Sequence, residues 1–174
     1  MRRIIILDTS AFIAGYDISN RNLKHYTVPS VQEEFTRDEF ARLRLDLAKR
    51  TGKLTVLNPD CRYLKEVEAK AIELGEAGSL SRVDKELLAL GVQLQAAGNR
   101  PIIISDDYSI QNVADHLELD YRSLATMGIK RRFDWGVYCP GCMKRFDDNQ
   151  TIKICPICGT DLRRRPTRKE PTKR

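Results

Sequence analysis

An apolar run from Ile4 to Leu7 sits between Arg2-Arg3 and Asp8. Short, rich in isoleucine and closed by polar residues, it predicts a buried parallel strand over 3–7, with Asp8-Thr9-Ser10 supplying helix-starting residues behind it. From Val28 to about Lys49, Val31, Phe35, Phe40, Leu43 and Leu47 recur at helical spacing behind Pro29 and Ser30. That pattern predicts one long helix with Glu33 and Glu34 in its first turns. Alternation over 53–57 predicts a second strand. Leu64, Val67, Ala71 and Leu74 predict a helix over 60–74, ended by a loop from Gly75 to Gly78. A further helix opens at Leu80-Ser81-Arg82-Val83-Asp84, runs through Leu87, Leu88, Leu90, Val92 and Leu94, and stops at Gly98. Ile102–Ile104 predicts a third strand ending in Asp106 and Asp107, followed by a helix over 109–117 and a brief strand over 120–122.

Strands alternating with helices imply an α/β fold, a parallel sheet flanked by helices, with a second, small domain behind it. Ligands of open sheets bind beyond the carboxyl ends of the strands, where Asp8 and Asp107 fall.

The second domain is announced by Cys139-Pro-Gly-Cys142 and Cys155-Pro-Ile-Cys158, two knuckles separated by twelve residues. Two thiolates two residues apart reach one metal from a tight turn, and a second such turn completes a tetrahedral site. The pattern predicts a zinc ribbon with one structural Zn2+. Two disulfides are the alternative; the lack of a signal peptide disfavours them, because the opening apolar run is too short for one and Asp8 interrupts it. Cys61, far from both knuckles, is expected as a half-buried thiol. The predicted organisation is a first domain over 1–123, a basic linker over 124–135, the ribbon over 136–162 and a disordered basic tail over 163–174.

Composition changes this picture in two ways. With 41% hydrophobic and 31% charged residues and no apolar run of membrane-spanning length, the chain reads as soluble and cytoplasmic, without a membrane partner. The net charge of +6 is confined to one end: residues 1–129 hold 17 basic and 19 acidic side chains, residues 130–174 hold 13 and 5. That asymmetry suggests a polyanion, and beside a zinc module it suggests nucleic acid. The blander reading is a solvated tail. Lys130, Arg131 and Arg132 in the linker, with Lys144, Arg145 and Lys153 in the ribbon, are the candidate phosphate contacts. Phe133, Trp135, Tyr138 and Phe146 could stack unpaired bases or pack the ribbon's small core; packing is favoured for Trp135 and Phe146, and Tyr138 stays open.

Asp8, Glu34, Asp84 and Asp107 each occupy a strand end or the first turns of a helix. Ionised carboxylates gathered in a cleft need protons or a divalent cation, Mg2+ or Mn2+, which can also hold a phosphate oxygen and a water in line for phosphodiester hydrolysis. Each acid also has a purely structural reading. Asp84 follows Ser81 at capping-box spacing, Asp8 or Asp106 can cap a helix, and Glu33 and Glu34 can favour a helix's positive end.

Ile6-Leu7-Asp8-Thr9-Ser10-Ala11-Phe12-Ile13 resembles the opening of PIN-domain ribonucleases. The segments Leu80 to Leu90 and Ser105 to Ala114 look like the later acidic motifs of the NIN-one-binding endonuclease family, whose members join a PIN domain to a zinc ribbon. The compact chain lacks the insertion found in eukaryotic members and resembles an archaeal version. The resemblance implies that Asp8, Glu34, Asp84 and Asp107 bind the catalytic cation with Ser10 and Ser105 nearby. Glu33 beside Glu34 leaves the register of that acid open; Asp106 beside Asp107 poses the same ambiguity, but Tyr108-Ser109-Ile110-Gln111-Asn112 fixes that register better. It further implies a substrate, precursor small-subunit rRNA cut at its 3′ end in a pre-ribosomal particle, with assembly-factor proteins as possible partners. Two other readings remain: a toxin-type PIN ribonuclease, against which the ribbon argues, and a non-catalytic zinc-ribbon RNA-binding assembly factor.

Overall fold

The computed structural model describes residues 2–19, 23–35, 38–125, 128, 131–146 and 152–171. The first part runs β1 Arg3–Leu7, α1 Thr9–Ile13, β2 Lys24–Thr27, α2 Val31–Glu34, α3 Glu39–Arg50, β3 Leu54–Val56, α4 Cys61–Glu73, α5 Arg82–Ala96, β4 Arg100–Ile104, α6 Tyr108–His116 and β5 Asp120–Arg122. Its strands pair in parallel in the order β3-β2-β1-β4-β5. Chain order reverses beside β1, so β1 and β4 lie adjacent and their carboxyl ends meet. Leu7 pairs with Ile104 there.

Helix α5 lies against one face of the sheet. A Cβ on its Gly91 would stand 2.9 Å from Leu119 Cδ1 and 3.6 Å from Ile6 Cδ1, so the residue without a side chain lets helix and sheet approach. Leu87, Leu88 and Leu90 of α5 are fully buried; each such burial stabilises the fold by roughly 1.5 to 3 kcal/mol. On the other face Phe12 of α1 meets Phe35 edge-on at 5.8 Å. No helix among the described residues is long and apolar enough to cross a membrane.

The long helix expected over 28–49 is two helices. Phe35 leaves α2 with φ −79 and ψ 53, and the Asp38 carboxylate, accepting from Ala41 N at 2.9 Å, starts α3 afresh. With the axis reset, the small residues Ala41 and Ala48 and Leu45 face inward, while Phe40, Leu43 and Leu47 of the expected stripe are exposed. Strand β2 was not anticipated, because its buried positions are His25 and Thr27. The Thr27 hydroxyl donates to Leu7 O at 2.8 Å. Burial lowers the pKa of His25 and keeps its imidazole neutral. Cys61, expected half-buried, is exposed at the start of α4.

The larger correction concerns the basic segments. Residues 163–171, expected to be disordered, form β8 Arg163–Pro171, antiparallel to β6 Arg131–Tyr138; β7 Arg145–Phe146 pairs with the other edge of β6. Low hydrophobicity argued for disorder, but the segment has a strand to pair with and a buried carboxylate to meet. Arg164 donates to Gly75 O and, at 2.9 Å, to Ser79 Oγ, and its Nη2 lies 3.5 Å from the Glu76 carboxylate. Glu76 is only 3% exposed and also accepts from Ser79 Oγ at 2.6 Å and Asn112 Nδ2 at 3.0 Å. Strand β6 docks as well. Trp135 N donates to Leu74 O at 2.9 Å, Asn112 holds both Phe133 N and Phe133 O, and Asp134 meets His116 at 3.3 Å. The expected linker is thus in part a docked strand.

Trp135 is the single tryptophan of the chain, and the Arg164 guanidinium lies over its ring at 5.1 Å. Arg164→Ala is expected to red-shift its emission, increase its quenching by acrylamide, and cost about 1 to 2 kcal/mol, because Glu76 keeps its burial and loses a charged donor. Unchanged emission would show that Arg164 does not hold the hairpin.

Candidate active site and metal centre

Asp8 follows β1 directly. Its Oδ1 accepts from Thr9 N at 2.6 Å, capping α1, and its Oδ2 accepts from Ser10 Oγ and Ser105 Oγ, each at 2.8 Å. Ser105 follows β4, so these hydroxyls tie together the two strand ends that parallel pairing made adjacent. Asp8 is 6% exposed, and burial raises its pKa against the pull of the Ser105 and Ser10 hydroxyls.

Glu34 closes α2, and its Oε2 accepts from the Thr9 hydroxyl. Burial raises its pKa, opposed by that hydroxyl and reinforced by the charges of Asp8 and Asp84. Asp84 forms a reciprocal capping box with Ser81 at the head of α5: Ser81 N donates to Oδ2 at 2.7 Å, and Asp84 N to Ser81 Oγ at 3.2 Å. Burial raises this pKa too, with Ser81 opposing and Asp8 and Asp107 adding repulsion. Asp107 caps α6 through Oδ1, which accepts from Ser109 N at 2.6 Å and Ile110 N at 3.3 Å; its own N–H donates to Ser105 Oγ at 3.1 Å. The four acids therefore share one electrostatic environment, although they start from four separate elements.

The neighbours left open by sequence are placed elsewhere. Asp106 receives Leu124 N at 2.9 Å and Ala125 N at 3.1 Å, closing the loop after β5. Glu33 borders a surface hollow with Pro29, Gln32, Phe35 and Arg42.

Capping does not use up these side chains. Asp84 gives Oδ2, Asp107 Oδ1 and Glu34 Oε2 to the scaffold, and among the described residues the second oxygen of each has no hydrogen-bond partner. Oxygen-only donors, raised pKa values and mutual repulsion suit a hard divalent cation.

In the ribbon all four cysteines are free thiols whose sulfurs lie within 4.8 Å of one another. Cys139 and Cys158 sulfurs are 3.3 Å apart, and those of Cys142 and Cys155 3.7 Å, far beyond a disulfide bond of about 2.05 Å. Each knuckle is closed by its own backbone: Cys139 N donates to Lys144 O at 2.9 Å, and Cys155 N to Thr160 O at 2.8 Å. A Cβ at Gly141 would stand 2.5 Å from Thr160 Oγ1 and 3.3 Å from Cys158 Sγ, so glycine allows the knuckles to meet. Four sulfurs in this arrangement can hold one tetrahedral metal.

Of the candidate RNA contacts, Lys144, Arg145 and Lys153 are exposed. Tyr138 pairs with Arg145 across β6 and β7, and the Arg165 guanidinium lies 4.9 Å over its ring. Arg131 and Arg132 lie in the backbone of β6; Lys130 falls outside the described residues. Sequence reasoning missed Thr9 as the holder of Glu34, and Glu76, Asn112 and Arg164 as the hairpin's seat. Only the place of Thr9 at the start of α1 carried any signal.

A five-stranded parallel sheet flanked by helices, with Asp8 and Asp107 beyond the carboxyl ends of its central strands, is the architecture of a PIN-type ribonuclease. The family model described as "PIN domain of ribonuclease" matches residues 5–94, a span that includes Asp8, Glu34 and Asp84 and ends before Asp107. "Endoribonuclease Nob1" of Pyrococcus abyssi is 37% identical over 164 residues, 94% of this chain and 94% of that protein. "Endoribonuclease Nob1" of Methanocaldococcus jannaschii is 36% identical over 94% of this chain and 78% of its own length. "Ribonuclease VapC1" of Thermoplasma acidophilum is 34% identical over 92% of this chain and 77% of its own. The chain belongs to the archaeal Nob1 endoribonuclease family.

The raised pKa values fix the sign of a pH test. Asp8, Glu34 and Asp84 ordinarily titrate near 3.8, 4.5 and 3.8, and all three hold their protons more tightly when folded. The metal-free fold is therefore favoured below that range and loses stability as pH rises above it, through the higher folded-state values. Asp84→Asn is expected to melt above wild type at neutral pH without divalent cation, the gap closing toward about pH 4, and to lose most of the stabilisation that manganese gives wild type. A variant melting below wild type at every pH would reduce Asp84 to a helix cap.

Proposed function

We propose that this endoribonuclease matures the 3′ end of small-subunit rRNA, acting in the cytoplasm on a pre-ribosomal particle beside assembly-factor proteins. What supports the reading is the mutual repulsion that Asp8, Asp84 and Asp107 exert on Glu34 and Asp84, in a chain matched along 94% of its length to a Nob1 endoribonuclease. Asp8, Glu34, Asp84 and Asp107 would hold a magnesium or manganese ion. Bound there, such an ion supplies Lewis acidity at a phosphate oxygen and lowers the pKa of a coordinated water.

The rest is the work of the chain. Ser10 and Ser105 fix Asp8 so that the charge centre of the site does not move when RNA enters. Thr9 orients Glu34, and the helix caps of Asp84 and Asp107 set the angles of their unshared oxygens. The ring's negative field repels a phosphodiester until it is neutralised, so RNA is held by another surface. Cys139, Cys142, Cys155 and Cys158 would hold a zinc ion that keeps the ribbon folded. Lys144, Arg145 and Lys153, with Lys130, Arg131 and Arg132, contact phosphates, while Tyr138 offers a stacking face. We retain residues 1–123 and 136–162 as the nuclease and ribbon units.

In manganese, the wild type is expected to cut an RNA spanning the small-subunit 3′ junction at one site, and Asp8→Asn or Asp107→Asn to lose at least about a hundredfold in rate. Binding without cutting under every divalent metal would turn the reading toward a non-catalytic assembly factor. Cys155→Ser is expected to weaken RNA binding more than it lowers the melting of the nuclease sheet. Unchanged RNA affinity would remove the ribbon from recognition.

A further inference from the structure

Among the described residues, part of one sheet face is open at the β4–β5 edge. Helix α5 and Tyr121's side of β5 lie on the opposite face with α6, while α1 and α3 reach only the β1, β2 and β3 side. At that open edge, strand alternation places Arg100 and Ile102 of β4 on one side with Asp120 and Arg122 of β5, Arg3 of β1 pairs with Arg100, and Ile104 at the far end of the same side is buried. Parallel sheets are ordinarily buried on both faces. Here Arg3, Arg100 and Arg122 are exposed and Ile102 is half-buried, and an open hollow of about 300 Å³ is lined by Arg3, Arg100, Ile102, Asp120, Tyr121 and Arg122.

Its charge is not internally balanced. Three arginines face one carboxylate there: Arg100 pairs with Asp120 at 2.7 Å, while the charge of Arg122 acts on the Tyr16 phenol. The hollow also begins at the active-site edge. The backbone carbonyl of Arg122 accepts from Ser105 N at 3.1 Å, and Ser105 holds Asp8 at 2.8 Å. From that edge to Arg100 is four residues of β4, about 13 Å at strand rise, long enough for more than one phosphate of a single strand to lie along it.

We propose that this open face is a second RNA-binding surface, taking the phosphate backbone of the single strand that runs on from the scissile bond, with Arg122 nearest the cut and Arg100 and Arg3 farther along. The proposal rests on the endoribonuclease reading of the carboxylate ring. It gives that reading a complement: the ring repels phosphates, and the arginines beside it hold the neighbouring ones. The ribbon and the open face then grip RNA at two separate places.

The test measures binding, not cutting. In Asp107→Asn protein without added divalent cation, the affinity for a labelled single-stranded RNA from the 3′ junction is followed by anisotropy across a range of potassium chloride. Arg3→Gln with Arg122→Gln is expected to lower the slope of log affinity against log salt by about 1.4, at about 0.7 per phosphate contact, and affinity near 0.1 M salt by about twentyfold. Arg3→Lys with Arg122→Lys is expected to keep the slope, since charge and not the guanidinium fork is what a phosphate track needs. Photo-crosslinks from thiouridine-containing RNA in protein with native arginines are expected in peptides covering 100–104 and 119–123, which covers the case of a glutamine variant that fails to fold. An unchanged slope in a folded glutamine variant, or crosslinks confined to the ribbon, would overturn the proposal. A changed slope in a protein that cuts no RNA under any metal would sustain this surface and overturn the nuclease reading instead.

Discussion

The two serine hydroxyls on Asp8 are the contacts on which the site depends. A carboxylate at the end of a buried strand loses most of its hydration, and Ser10 and Ser105 restore part of it from opposite sides. One hydroxyl belongs to the helix that β1 enters and the other to the loop that leaves β4, so the charge at the centre and the seam between β1 and β4 are held by the same atoms. Ser105 also receives Asp107 N. The position of a third acid is thereby referred to Asp8, and the geometry of the ring follows from one strand pairing.

Stability and function pull against each other here. Burial raises the pKa values of Asp8, Glu34 and Asp84, and repulsion adds to it at Glu34 and Asp84, so the apo fold carries a charge strain that hydroxyls and helix caps only partly relieve. Using the same side chains as caps limits that strain. Asp84 and Asp107 each satisfy orphan amides with one oxygen and keep the other unshared, so the helices stay capped whether or not a cation is present.

Much of this was legible in the sequence where one residue type has one physical reason to be where it is. The isoleucine run of β1, the acids at strand ends and the paired knuckles each announce themselves within a few residues. What was illegible depends on contacts distant in the chain. Phe40, Leu43 and Leu47 fit a helical stripe, and only the restart at Asp38 shows that Ala41, Leu45 and Ala48 take the inner face. Strand β2 hides because its inward residues are His25 and Thr27, polar groups satisfied or neutralised by burial that no local pattern reports. The arginines of 163–165 read as solvent-loving until Glu76, ninety residues earlier or nearly so, is seen to be buried and waiting for one of them.

The seating of the hairpin has a consequence in time. Strand β6 leaves the ribosome first, the four cysteines follow, and β8 with Arg164 comes after them, whereas β1, β4 and every acid of the ring are already made. During synthesis the nuclease sheet can close and gather its carboxylates while β6 still lacks its antiparallel partner and Glu76 its arginine. The order of translation therefore builds the cutting edge before the module that is docked beside it, and completing β8 adds the last contact, Arg164 on Glu76.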